Sequence, residues 1–320
     1  MTSNDRDAAP DLVGAGLVLM AAACFGTLGP LSRFAGDAGV ESLTVVTWRA
    51  ALGAALVGAF LLGRAAAGRG RPVSLRAIPV RDRWFILAAA CANTLLNLGA
   101  FIAFERITIA LTLLVFYLYP ALVAVISTVW FGERLDRLRW GALVLSLVGM
   151  ALVVFQAPEG GRFDLLGIGL AFVAALMQVF YVLAARHGFA HVPGAQAGAM
   201  TMGGATVLYV LIALGLGNVG QLAQPTASLD ALWPVVMAGT LGAGIPTVAY
   251  ILGIRRLGPS RAAILATFEP VVGVLLAALL LAERPAPIHL VGGALIIASG
   301  VVLQLRSRAK VAEHEAVSGD

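Results

Sequence analysis

The sequence predicts an all-α integral membrane protein, ten transmembrane helices arranged as two inverted five-helix repeats. Three observations carry that prediction. Of the 320 residues, 60% are hydrophobic and only 12% charged, against roughly 25% charge in a soluble domain. The apolar residues come in runs of about 20, the length at which a helix crosses a bilayer. Landmark residues also recur in the same order in the two halves of the chain.

The runs are bounded by charge, Gly and Pro, and each has a feature of its own. The leading "MTSNDRDAAPD" is acidic rather than cationic, so the first run, 11–33, reads as a span and not a cleaved signal peptide. The second, 42–63, carries Arg49 in its interior, and the longest connection, 64–83, holds six arginines. The third, 84–104, contains Asn93 and Asn97. The fourth, 108–131, is interrupted by Pro120, and the fifth, 138–156, carries Gly141 and Gly149. The second half follows with 165–185, which holds Gln178 and Tyr181, and then 195–217. The eighth, 232–254, is weakened by Gly242, Gly244 and Pro246, and includes Tyr250. The ninth, 260–281, carries Glu269-Pro270, and the tenth is 288–305. The remaining connections are too short for a soluble domain.

Charge orients these spans. With the N-terminus inside, 17 of the 22 basic residues fall in cytoplasmic segments, as the positive-inside rule requires. Arg33, Arg106, Arg162 and Arg284 lie on the other side, and Arg49 is left within a span. Both termini are then cytoplasmic, including the tail 307–320. A pI of about 9.8 is thereby explained by topology, without a nucleic-acid partner. Cys24 and Cys91 both lie in apolar runs and read as packing residues. No pattern suggests a disulfide framework, a metal site or a cofactor.

The halves match at several points. "DLVGAGL" at 11–17 corresponds to "DLLGIGL" at 164–170, an offset of 153 that also pairs Arg33 with Arg186. Pro120 is followed thirteen residues later by Glu133-Arg134, as Pro270 is by Glu283-Arg284. Gly141 and Gly149 match Gly292 and Gly300. Five spans per half is an odd number, so the second copy enters the membrane from the opposite face. Two such halves can exchange conformations, which makes inward-open and outward-open states similar in energy. That is the architecture of a secondary transporter, with its site near the midplane.

The segments "YPALVAVISTVWFGERLDRLRWGALVLSLVGMALVV" and "EPVVGVLLAALLLAERPAPIHLVGGALIIASGVVL" each resemble the end of an EamA domain. That domain occurs as a tandem pair in the ten-helix members of the drug/metabolite transporter superfamily. "TVVTWRAALGAAL" at 44–56 resembles the arginine-bearing second helix of the first unit. The resemblance covers about residues 11–306, as one repeat over 11–156 and a second over 164–306. It implies export of small metabolites across the bacterial inner membrane, and is greatest to the amino-acid exporters, including those for aromatic amino acids. Helices one to four and six to nine are implied to line the cavity, with five and ten outside.

Glu269 is the only acidic residue well inside a span, roughly 12 Å along the helix from Arg261. A charge at that depth costs about 2.5–3.5 kcal/mol by insertion scales, so it must face a cavity or a partner, or be protonated. It can hold a substrate ammonium, couple protons, or brace backbone freed by Pro270. Pro120, Pro246 and Pro270 are expected to kink their helices and leave carbonyls unpaired. Asn93 and Asn97, four apart, share a helix face, as do Gln178 and Tyr181. With Tyr119, at the position matching Glu269, and Tyr250, they would form a polar and aromatic lining suited to a zwitterion with an apolar side chain. Singly, each is also interhelical glue, worth about 0.6 kcal/mol on average. Arg49 can take a substrate carboxylate, approach Glu269, or serve structurally by reaching carbonyls or headgroups; Trp48 suits an interfacial belt. Glu133-Arg134 and Glu283-Arg284 read as turn-capping pairs at helix ends.

The spans hold no interior aspartate pair, and the chain has no phosphate-binding Gly-x-x-x-x-Gly-Lys-[Ser/Thr] and no His-Glu-x-x-His. These patterns count against an intramembrane enzyme and a self-powered ATPase. The expected function is alternating-access export of neutral or aromatic amino acids. Export of other metabolites, nucleosides or drugs, and a passive channel, are the alternatives. The oligomeric state is left open, a monomer among the options.

Overall fold

A computed structural model of the chain describes residues 11–69, 71–107, 112, 115–132, 136–154, 164–280, 287–288, 290–299 and 302. The Glu133-Arg134 and Glu283-Arg284 pairs, Arg162, Gly300 and the tail 307–320 lie outside the described residues.

Among the described residues the chain is all helix, without strands. The elements of the first half are α1 (Leu12–Gly26), α2 (Leu28–Asp37), α3 (Ser42–Ala66), α4 (Val80–Arg106), α5 (Tyr119–Phe131) and α6 (Arg137–Val154). Those of the second half are α7 (Leu165–His187), α8 (Gly194–Gly215), α9 (Leu229–Gly239), α10 (Ile245–Leu257), α11 (Pro259–Ala266), α12 (Glu269–Leu280) and α13 (Leu290–Ser299). A 3₁₀ segment, Val219–Ala227, precedes α9, and a π-helical turn, Thr240–Gly244, joins α9 to α10. Six stretches are long and apolar enough to cross a membrane: Leu12–Asp37, Ser42–Ala66, Val80–Ala103, Leu165–His187, Gly194–Gly215 and Leu229–Leu257. Shorter apolar helices, among them α5 and α13, accompany them. Large apolar side chains such as Trp130, Leu165 and Leu279 stay exposed, as a lipid-facing surface requires.

Helix packing is paired across the two halves. α4 packs on α7 as α1 packs on α10, and α4 packs on α8 as α3 packs on α9. α3 and α8 pack on each other. The repeated Asp-Leu-x-Gly has a physical explanation in these contacts. Asp11 caps α1 by accepting from the Gly14 N–H at 2.8 Å, and Asp164 caps α7 by accepting from the Leu166 N–H at 2.8 Å. Each cap also pairs with an arginine ending a helix of the other half, Arg256 at 3.3 Å and Arg106 at 3.0 Å. The Arg106 guanidinium and the Leu166 N–H hold the Asp164 carboxyl below its ordinary pKa. A Cβ on Gly14 would stand 3.0 Å from Arg256 Cβ, and one on Gly167 3.0 Å from Arg106 Cβ. The motif thus supplies a cap, a charge partner and a close crossing at each site.

The same contacts define the two ends of the bundle. Asp82, in the first turn of α4, is buried and within electrostatic reach of Arg255. Its Oδ2 accepts the His191 backbone N–H at 3.1 Å and lies 3.1 Å from His191 Nδ1. Arg255 donates to the carbonyls of Ala185, Phe189 and Val192, and Arg186 donates to the Arg255 carbonyl. Buried Gln196 binds Val73 in both directions, at 2.9 and 2.6 Å. α1 therefore begins at the end where α4 begins, whereas α7 begins at Arg106, where α4 ends. At that second end the 3₁₀ segment is held on α3: Trp48 Nε1 donates to the Leu222 carbonyl at 2.7 Å and Thr44 Oγ1 to the Gln221 carbonyl at 3.1 Å. Trp48 is thus tied to a loop of the other half. Cys24 and Cys91 are both free, half-buried thiols.

Candidate functional site

The site is built where helices stop and restart. Residues 115–116 are helical, Tyr117-Leu118 form a turn, and α5 begins at Tyr119-Pro120. In the other half α11 ends at Ala266, Thr267-Phe268 form a turn, and α12 begins at Glu269-Pro270. Both turns close with tighter i→i−3 bonds: Leu118 N–H to Val115 O and Phe268 N–H to Leu265 O, each 3.2 Å. Each proline therefore sits in the first turn of a new helix, where its missing N–H is no loss and its φ is already helical. Pro246 differs: it lies in a helix that continues from α9 through the π turn into α10, and the widened turn accommodates its missing N–H. At Pro120 and Pro270 the expected kinks are thus full interruptions, and α5 packs against α11 so that the two matching breaks meet.

Their side chains join. The Tyr117 hydroxyl and the Glu269 carboxylate are neighbours that interact electrostatically. The rings of Tyr117 and Tyr119 lie 6.0 Å apart, and Phe116 stands 5.4 Å from each. Tyr119 faces Tyr250 on α10, which also neighbours Gln178 on α7. The Tyr250 hydroxyl nevertheless finds no partner at hydrogen-bonding geometry.

A second cluster adjoins the first. Arg49 on α3 donates from Nε to the Gly242 carbonyl at 3.1 Å and from Nη1 to Asn97 Oδ1 at 2.7 Å. The π turn presents that carbonyl, because its widened ladder leaves acceptors outside the regular i→i−4 pattern. Gly53, one turn beyond Arg49, permits the approach: a Cβ there would stand 2.8 Å from Met202 Sδ and 3.1 Å from Gly244 N. Asn97 Nδ2 donates to the Asn93 carbonyl at 2.7 Å and to Asn93 Oδ1 at 3.1 Å. The Tyr209 hydroxyl reaches Asn93 O at 3.4 Å, and Tyr181 neighbours Thr201, whose hydroxyl donates to the Gly198 carbonyl at 3.0 Å. Arg49 interacts electrostatically with Glu269 and with Tyr181 and Tyr209.

The structure thus gathers all seven predicted polar residues, Asn93, Asn97, Tyr119, Gln178, Tyr181, Tyr250 and Glu269, into two adjoining clusters. It adds Tyr117, Tyr209 and Thr201, which the sequence reading passed over, and gives Arg49 a central place. No signal in the sequence marked the missed tyrosines; their burial is a property of the fold. The chain has five tyrosines in all, and every one is buried, none more than 8% exposed. Membrane tyrosines usually gather at the two interfaces. By contrast Arg49, Asn93, Gln178 and Glu269 are only half-buried. Among the described residues no group of three His, Cys, Asp or Glu could hold a metal.

A bundle of membrane-length helices with a polar cluster built from both halves is an architecture that membrane transporters use. The model of the EamA-like transporter family matches residues 12–155 and again 165–305. The chain belongs to that family, and so to the drug/metabolite transporter superfamily. It is 25% identical over 226 residues to the uncharacterized transporter YdfC of Bacillus subtilis, covering 70% of each chain. It is 27% identical over 287 residues to a probable terminal-alkyne amino-acid exporter of Streptantibioticus cattleyicolor, covering 83% of this chain and 92% of that one. A protein of known crystal structure shares the fold, with a TM-score of 0.74 at 22% identity over 92% of this chain and 98% of that one.

Proposed function

We propose that this chain exports neutral or aromatic amino acids across the bacterial inner membrane by alternating access. Ten spans form two inverted repeats, 11–156 and 164–306, with both termini and the tail 307–320 cytoplasmic. The observation that carries the reading is the meeting of the two matching helix breaks, Tyr117–Pro120 and Thr267–Pro270, amid five buried tyrosines. Interrupted helices from both repeats near the midplane are where carriers of this kind bind substrate. Tyrosine rings with a few placed polar groups suit an amino acid bearing an apolar or aromatic side chain. Further support is that α1 and α7 start at opposite ends of the bundle, and that one relative is named an amino-acid exporter. The half-buried Asn93, Gln178 and Glu269 line the substrate chamber, with Asn97, Tyr119, Tyr181 and Tyr250 behind or beside them.

Counterflow in proteoliposomes loaded with unlabelled amino acid tests the proposal. Saturable uptake of labelled phenylalanine or leucine is the expected result, with Glu269→Gln lowering it at least about tenfold, the loss of one charge-assisted contact. Folded protein that exchanges no amino acid would remove this substrate class and direct attention to other metabolites, nucleosides and drugs. Flux without saturation or counterflow would mean a channel.

A further inference from the structure

The two interior charges are held apart. Among the described residues, Arg49 and Glu269 alone are charged side chains away from the ends of their spans. They sense each other electrostatically, yet no salt bridge joins them. Opposite charges in so poor a solvent gain by closing on each other unless other contacts fix them. Arg49 is fixed from one side by Gly242 O and Asn97 Oδ1, and Glu269 lies on another beside the Tyr117 hydroxyl. A guanidinium has five N–H donors. Two of them are engaged in these bonds, leaving three without a protein acceptor among the described residues. Neither residue is fully buried, and a ligand carrying both charges would satisfy the two groups together.

From this geometry we infer that the site is dipolar and reads both charges of a zwitterion. Arg49 takes the substrate carboxylate, and Glu269, beside Tyr117, takes the ammonium. Arg49 lies on a span of the first half and Glu269 on one of the second, so a bound α-amino acid bridges the two halves. A molecule with only one of the charges leaves the other site charge unpaired in the membrane interior, which is the penalty that enforces selection. Tyr119, Tyr181 and Tyr250 wall the same region and meet the side chain. The assignment rests on the amino-acid reading above and goes further, because it excludes amines and N-acylated amino acids that share the same aromatic group.

The test is displacement of labelled L-phenylalanine from the purified, detergent-solubilised full chain. The competitors are L-phenylalanine, phenethylamine, which lacks the carboxylate, and N-acetyl-L-phenylalanine, which lacks the ammonium. Each analogue is expected to compete roughly 10- to 150-fold more weakly than phenylalanine, the value of one charge-assisted hydrogen-bonded contact. Arg49→Gln should bring phenethylamine level with phenylalanine while N-acetyl-L-phenylalanine stays discriminated, and Glu269→Gln should do the reverse. Phenethylamine competing as well as phenylalanine against the unaltered protein would overturn the assignment, as would an Arg49→Gln protein that still rejects it. The analogue series on the unaltered chain decides the matter even if a variant does not fold. Absence of binding by both labelled phenylalanine and labelled leucine would sink the substrate class itself, whereas binding without charge discrimination would sink only the dipolar site.

Discussion

The Tyr117 and Tyr250 hydroxyls make opposite predictions although both side chains are buried in one cluster. Tyr117 lies beside the Glu269 carboxylate and interacts with it electrostatically, whereas the Tyr250 oxygen is buried with no hydrogen-bond partner. Removing a partner from a buried charge costs about 1.5–3 kcal/mol, but removing an unpaired hydroxyl relieves a desolvation penalty. Tyr117→Phe should therefore lower thermal stability and weaken phenylalanine binding, while Tyr250→Phe should leave stability unchanged or raise it. Differential scanning of the two purified variants checks this. A Tyr250→Phe protein that loses as much stability as Tyr117→Phe would show that the Tyr250 hydroxyl is bonded after all.

Close helix crossings at glycine set the packing of the elements, and two glycines of the Asp-Leu-x-Gly segment separate this from composition. Gly14 lies against Arg256 and Leu257, with a Cβ at 3.0 and 3.1 Å, while Gly16 has nothing within 4 Å. Gly14→Leu should destabilise by about 1–3 kcal/mol through overpacking, and Gly16→Leu by no more than about 0.5 kcal/mol. Equilibrium unfolding in mixed micelles distinguishes them, and equal effects would argue that α1 does not pack on α10 at this point. Another crossing brings α6 to α13, where a Cβ on Gly149 would stand 2.6 Å from the Gly292 carbonyl. This contact joins two of the four glycines matched between the halves.

For the whole molecule, each end of the bundle is closed by contacts between the two halves. At one end Asp82 holds His191 and Gln196 holds Val73; at the other, α3 holds the 3₁₀ segment. Alternating access requires one end to open while the other stays closed. With Cys24 and Cys91 replaced, cysteines at Asp82 and His191 should form a disulfide on oxidation, arrest counterflow, and release it on reduction. Unimpaired counterflow in the cross-linked protein would mean that this end does not part at these residues during transport.

The sequence by itself determined the membrane class, the two matched halves and the family, because these follow from composition, run length and ordered landmarks along the chain. It also located the helix breaks, since the effect of Pro120 and Pro270 on a helix is local. Only the tertiary structure decided what meets at those breaks. Tyr117 with Glu269, Arg49 with Gly242, and Asp11 with Arg256 join residues far apart in the chain. Membrane helices are apolar on every side, so periodicity does not distinguish the face that turns inward from the face that meets lipid. For that reason Tyr117 and Tyr209 looked like any other residue of an apolar run, and the role of Arg49 stayed open among a substrate carboxylate, Glu269 and structural contacts. The side chains that recognise a ligand are selected by which helices cross, and here those crossings run between the two halves of the chain.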